Sequence, residues 1–211
     1  MPALYVIAGP NGAGKSTLSN LIIPGVPVFD GDKEFAMLKA KFPDIEDAQL
    51  MEAVNDQIFS SQKQAALKTG KDFAYETNFA SPSVINTLKE FEKVGYTTCL
   101  VYIGLRTVNA ARTRVDLRVR EGGHKVTFET IRSNYNEGLK NLEAHACKFD
   151  EVIIMDNSNN QQLMPGIVIE MKKGHIIKTA ATLPKWLKKL NFVERKFLYK
   201  KRISGGKGKK L

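Results

Sequence analysis

The chain has 211 residues, 43% of them hydrophobic and 26% charged, which suits a globular protein of one domain with an appendage. No apolar run approaches the ~20 residues needed to span a bilayer, and two cysteines, Cys99 and Cys147, make neither a disulfide framework nor a metal-ligand cluster. The net charge of +10 is unevenly placed: residues 172–211 hold 14 Lys or Arg against one acid, Glu194, and residues 1–171 hold 18 bases and 21 acids.

In chain order, ALYVIA (3–8) reads as a short buried strand that runs straight into a Gly-rich loop. This apolar start is too short for a signal peptide and lacks a basic leader, so cytoplasm is the expected compartment. A helix follows from Lys15 until Pro24, Gly25 and Pro27 break it. VPVFD (26–30) is a second strand. Residues 44–69 read as one long helix, with Leu50, Val54, Ile58 and Ala65 on its apolar face and Gly70 at its end. DFAYET (72–77) is a third strand. A helix capped by Ser81 or Ser83 then runs to Lys93, and YTTCLVYIG (96–104) is strongly β. Residues 107–121 and 128–147 are helical, separated by Gly122-Gly123, and EVIIMD (151–156) is the fifth strand. Alternating strands and helices predict a parallel sheet covered on both faces, a three-layer α/β/α fold. Beyond it, GIVIEMKKGHIIKTA has the pattern of a β-hairpin, PKWLKKLNFVERKFLYKK that of an amphipathic basic helix, and SGGKGKKL that of a disordered end. This divides the chain into a core, 1–158, and an extension, 159–211.

Gly9, Gly14, Lys15 and Ser16 satisfy G-x-x-x-x-G-K-[ST] between a predicted strand and a predicted helix, the context that makes the pattern a phosphate-binding P-loop. Its backbone N–H groups, from Asn11, Gly12 and Ala13 through to Ser16 and Thr17, can wrap a phosphate of ATP at a helix N-terminus. Lys15 reaches the β- and γ-phosphates, and Ser16 is the candidate Mg²⁺ ligand. No LSGGQ-like signature, Asp-Glu strand end or NKxD element is present, which leaves a small P-loop kinase rather than a transporter ATPase or a GTPase.

A kinase must orient or deprotonate its acceptor and offset charge on the phosphoryl group in flight. In a parallel sheet such groups sit at the carboxyl ends of strands. FDGDK offers Asp30 and Asp32; YETN offers Glu76 and Thr77. The cations come from 112–132, RTRVDLRVREGGHKVTFETIR, read as a lid. Arg114 and Arg118 share a helix face, and Arg120 and His124 flank the Gly-Gly break.

GPNGAGKST, FDGDKEFA, FAYETNFAS, LRVREGGHKV and VIIMDNS, in this order, resemble the zeta-toxin family of kinases. The likeness is greatest to a bacterial branch of predicted ATPases with an RVxxGGHxVP segment, and it covers about residues 3–158. The resemblance implies a five-stranded, adenylate-kinase-like core. It implies ATP- and Mg²⁺-dependent phosphorylation of the sugar 3′-hydroxyl of UDP-N-acetylglucosamine, restrained by a small antitoxin protein. By position it makes Asp32 the catalytic base, Lys15 the loop lysine, Glu76 and Thr77 the acceptor-binding strand end and Arg118 the first lid arginine. Asn157 falls near the adenine-side loop. The second lid arginine aligns with His124, leaving Arg120, His124 or Arg132 to complete the lid.

Two other readings compete. In one, the chain is a nucleic-acid-end kinase, using the basic tail with Trp186, Phe192, Phe197 and Tyr199 as stacking groups. In the other it is a nucleotide-gated protein-binding module without turnover. The tail is also compatible with a purely solvated end or with binding to anionic lipid. With a small-molecule acceptor, deleting residues 200–211 is expected to leave kcat/KM unchanged in a steady-state phosphotransfer assay; a large loss would put the tail in the active site.

Overall fold

The computed structural model describes residues 1–123, 125–159, 164–188 and 190. The predicted helix over 184–201 is therefore described only at 184–188 and 190, with Lys185–Lys188 helical, and the rest of the basic tail lies outside the described residues.

Strands β1 (Ala3–Ala8), β2 (Val28–Phe29), β3 (Phe73–Thr77), β4 (Thr97–Gly104) and β5 (Glu151–Asp156) form a parallel sheet in the order β2-β3-β1-β4-β5. Period-two alternation sends side chains to both faces. Leu4, Val6, Leu100 and Tyr102 point into one core with Phe35, Leu50, Val54, Leu88 and Phe91; Ile7, Val101 and Ile103 point into a second with Leu18, Ala111, Val115 and Ile131. Helices α1 (Lys15–Ile22), α6 (Val108–Arg120) and the first half of α7 (Phe128–His145), through Ile131 and Tyr135, serve the second core. Helices α2 (Gly31–Lys41), α3 (Asp47–Glu52), α4 (Ser60–Thr69) and α5 (Ser83–Glu92) serve the first. The expected three-layer α/β/α fold is the fold observed.

The sheet is larger than the expected five strands. The predicted hairpin, β6 (Gly166–Lys172) and β7 (His175–Thr179), joins the free edge of β5 antiparallel and gives seven strands. Burial of Val168, Ile169 and Met171 against the first core supplies the reason. The turn between them has Lys173 at φ 47° and Gly174 at φ 71°, both positive, as a tight two-residue hairpin turn requires.

Two further differences have local causes. Helix α2 has no counterpart among the sequence-based elements, because Phe35 alone is buried along it and the apolar period is faint. Asp30 nucleates it, its side chain accepting from the backbone N–H of Asp32 and Lys33. The predicted helix over 44–69 is continuous from Asp47, but Ala53–Phe59 is π-helical. The wider turn rotates the buried face by one position, so Ala66 is buried where the 3.6-residue period selected Ala65. Phe59 then packs its ring against Phe29, Phe73 and Tyr75. Of the two thiols, Cys99 is half-buried and Cys147 exposed.

A short helix, α8 (Lys185–Lys188), docks Trp186 onto the end of β4. Gly104 makes room for it: a Cβ there would lie 2.1 Å from the indole ring. Gly104→Ala is therefore expected to destabilise the fold by ~1–3 kcal/mol, the usual range for overpacking, measured as a fall in the urea midpoint at unchanged m-value.

Candidate active site

Chain connections diverge at the adjacent strands β1 and β4: β1 leads away to β2 and β3, and β4 leads to β5. A cleft of about 560 Å³ opens at their carboxyl ends. It is lined by Asn11–Leu18, Asp30–Asp32, Glu76–Asn78, Arg114, Leu117, Arg118, Glu121 and Asn157.

The loop between β1 and α1 is pressed against the sheet. A Cβ on Gly9, at φ 147°, would stand 2.3 Å from the carbonyl oxygen of Ile103, so no larger residue fits without moving β4. Asn11, 5% exposed, accepts from Asn134 Nδ2 at 2.8 Å. Asn157, just past β5, donates from Nδ2 to the Ala13 carbonyl at 2.8 Å. Arg114 donates to the carbonyls of Gly12 at 3.3 Å and Asn157 at 2.6 Å. The loop is thus held from β4, β5, α6 and α7 at once.

Lys15 Nζ donates to the carbonyls of Gly9 at 2.8 Å and Pro10 at 3.3 Å and to Asn78 Oδ1 at 3.0 Å. Desolvation pushes its pKa down; the carboxylates of Glu76, Asp32 and Asp30 act against that, and Arg118 adds to it. Asn78 was not among the sequence candidates. Its signal is only its place one residue past Glu76-Thr77. The chain turns sharply behind it: Phe79 has φ 59°, its N–H donates to Thr77 Oγ1 at 3.0 Å, and its ring is buried on Tyr102 and Phe149. A left-handed aromatic costs ~1–2 kcal/mol, and the burial of that ring holds it there.

Ser16 Oγ lies 2.8 Å from Asp30 Oδ2 and 2.7 Å from Glu76 Oε2. A hydroxyl has one proton and can donate to only one of two carboxylates. Burial raises the pKa of the Glu76 carboxyl and the neighbouring Asp30 charge raises it further, while hydrogen bonds from Ser16 and Ser19 and the Lys15 charge oppose this. Asp32 stands in the first turn of α2 at the cleft wall. No hydrogen bond or ion pair engages its carboxylate among the described residues.

Of the expected lid cations, Arg118 lines the cleft and Arg114 joins it, four residues earlier on the same helix face. Arg120 and Arg132 are exposed and line no part of it. His124 lies outside the described residues. The Gly-Gly break ends α6, with Gly122 at φ 90° and the Gly123 N–H donating to the Arg118 carbonyl at 2.9 Å.

Residues 1–166 match the model of the family described as zeta toxin. The chain belongs to the zeta toxin family. It is 28% identical over 129 residues, 60% of this chain and 88% of the other, to an uncharacterized protein of Haemophilus influenzae strain Rd. In fold it is similar to a component of the PezAT chromosomal toxin-antitoxin system of Streptococcus pneumoniae, at TM-score 0.64 and 17% identity, with 97% of this chain and 87% of the other covered. It is also similar in fold to a chain of the AvrRxo1-ORF1:ORF2 complex with ATP, at TM-score 0.63 and 13% identity, covering 95% of this chain and 63% of that one. No helix among the described residues is long and apolar enough to cross a membrane.

Burial of Glu76 sets a pH dependence for this family member. A carboxyl whose folded pKa is raised above its unfolded value of about 4.5 costs stability once it ionises, so its contribution is present below that value and lost as pH rises through the folded pKa. Glu76→Gln is therefore expected to be more stable than the parent at pH 8, with the difference shrinking toward pH 4, in paired urea titrations without nucleotide.

Proposed function

We propose that this zeta-toxin-family protein is a kinase that transfers the γ-phosphoryl group of ATP to a sugar hydroxyl of a nucleotide sugar, with UDP-N-acetylglucosamine the favoured acceptor. The supporting observation is a single cleft holding a braced phosphate loop, an unengaged carboxylate and two guanidinium groups. Its volume falls within the ~300–1,000 Å³ range of small-molecule sites.

Each group has a role in this reading. The loop amides from Asn11 to Thr17 and the Lys15 ammonium hold the β- and γ-phosphates, while Asn157 and Arg114 keep the loop in shape. Arg118 faces the same space and offsets charge on the phosphoryl oxygens. Asp32 accepts the proton of the attacking hydroxyl. The hydroxyl oxygen bonds to the γ-phosphorus as the bridging bond to the β-phosphate breaks, and ADP leaves. Glu76, Thr77 and Asn78 form the wall against which the acceptor sugar lies.

Magnesium fits the donor set. Ser16, Asp30 and Glu76 present only hard oxygen atoms, those of a hydroxyl and two carboxylates. When bound, Mg²⁺ supplies charge neutralisation on the triphosphate. By the same reading a small antitoxin protein restrains the enzyme, in keeping with the toxin-antitoxin system to which the pneumococcal structure belongs.

Incubation with MgATP and UDP-N-acetylglucosamine is expected to give a product heavier by one phosphoryl group in mass spectrometry. Asp32→Asn should bind ATP normally and lose ~10²-fold or more in turnover. Transfer by Asp32→Asn at the parent rate would remove the assigned base, and absence of product with ATP bound would remove the acceptor.

A further inference from the structure

We propose that Trp186, outside the stretch that matches the family, is a positioning residue for the nucleotide site. Its indole N–H holds the turn through which β5 braces the phosphate loop. The inference rests on the reading of that loop as an ATP site.

The connections are short. Trp186 is 4% exposed, and its ring lies against Gly104 and beside Tyr102. Trp186 Nε1 donates to Asp156 Oδ1 at 3.1 Å. The same oxygen accepts from the Ser158 N–H at 3.3 Å and from the Ser158 hydroxyl at 2.5 Å. Asn157 sits between these two residues. Its N–H donates to the Gly104 carbonyl at 3.0 Å, its amide donates to Ala13, and its carbonyl receives Arg114. Arg106 closes the far side, donating to the Ser158 carbonyl at 2.8 Å.

A three-residue turn is thereby tied at every position, and one tie comes from a segment 28 residues further along the chain than its end at Ser158. Asp156 Oδ1 is the point where these ties meet. A carboxylate that loses a well-directed indole donor can rotate, and rotation releases Ser158 and loosens the placement of Asn157. The loop carbonyls of Gly12 and Ala13 then lose the partners that hold the amides of the loop inward. A cavity of about 450 Å³ lies beside this turn, lined by Arg106, Asp156, Ser158, Asn159 and Trp186 among others, so the otherwise buried indole presents an edge to it.

A purely structural tryptophan and a positioning one make different predictions. Trp186→Phe keeps an aromatic ring against Gly104 and removes the N–H. Loss of one such hydrogen bond is expected to raise the Kd and KM for ATP about fivefold, with kcat changed less than about twofold. A lower melting temperature with ATP affinity within about twofold of the parent would mean that the residue only fills space, and would overturn the proposal. A second measurement needs no variant. Trp186 is the one tryptophan in the sequence, so its emission reports this position alone. MgATP is expected to change that emission saturably, with the Kd found by calorimetry. Emission indifferent to saturating MgATP overturns the proposal. If calorimetry detects no ATP binding by the parent protein, the kinase reading falls and this inference falls with it; parental binding with an unaffected Trp186→Phe overturns the inference alone.

Discussion

One constraint organises the cleft: an ammonium group, that of Lys15, is withdrawn from water at the carboxyl end of a parallel sheet. An ammonium enclosed without partners sheds its proton. Here two loop carbonyls and the Asn78 amide oxygen accept from it, and three carboxylates from two strand ends surround it. Those partners explain the neighbouring structure. Asn78 reaches the ammonium because the chain reverses at a left-handed Phe79, and that reversal is held by an aromatic ring buried in the first core. Gly138 on α7 permits it, since a Cβ there would stand 2.7 Å from the Asn78 carbonyl oxygen. The charge on one side chain is thus tied to packing two layers away.

The carboxylates bring their own tension. Asp30 divides its oxygens between capping α2 and facing Ser16, while Glu76 approaches the same hydroxyl from β3. Capping fixes Asp30 to a helix start, and pairing with β1 fixes Glu76 in β3, so the two backbones are held in place. Burial and the neighbouring Asp30 charge both favour the protonated form of Glu76.

Much of this was legible in the sequence wherever a local pattern carried it. Strand, glycine loop and helix around Lys15 announce themselves within fifteen residues, and the five parallel strands follow from short apolar runs between helical periods. Asp30, Asp32, Glu76 and Thr77 could be placed on one crevice because strand ends in such sheets share an edge. What escaped depended on distant contacts. Arg120 and Arg118 are two apart, and only the helix rotation decides that one faces the cleft and the other solvent. Asn78 looks like any strand-end amide until the ammonium is seen against it. The attachment of β6 to β5 depends on which apolar face remains uncovered, a property of the assembled sheet. Gly104 reads as the end of a strand, although its missing side chain is what lets an indole 82 positions later reach the same place.

The π-helical stretch between α3 and α4 has a consequence for how this chain can vary in length. Its seven residues, Ala53–Phe59, carry roughly one residue more than an α-helix of the same rise would use. The helix therefore contains a built-in phase adjuster. Leu50 before the stretch, Val54 within it and Ala66 after it all pack into the first core with Phe73 and Tyr75 of β3. A one-residue insertion absorbed in this way leaves both ends in register with the sheet. The chain between α1 and β3 can thus be re-spaced there without shifting either element.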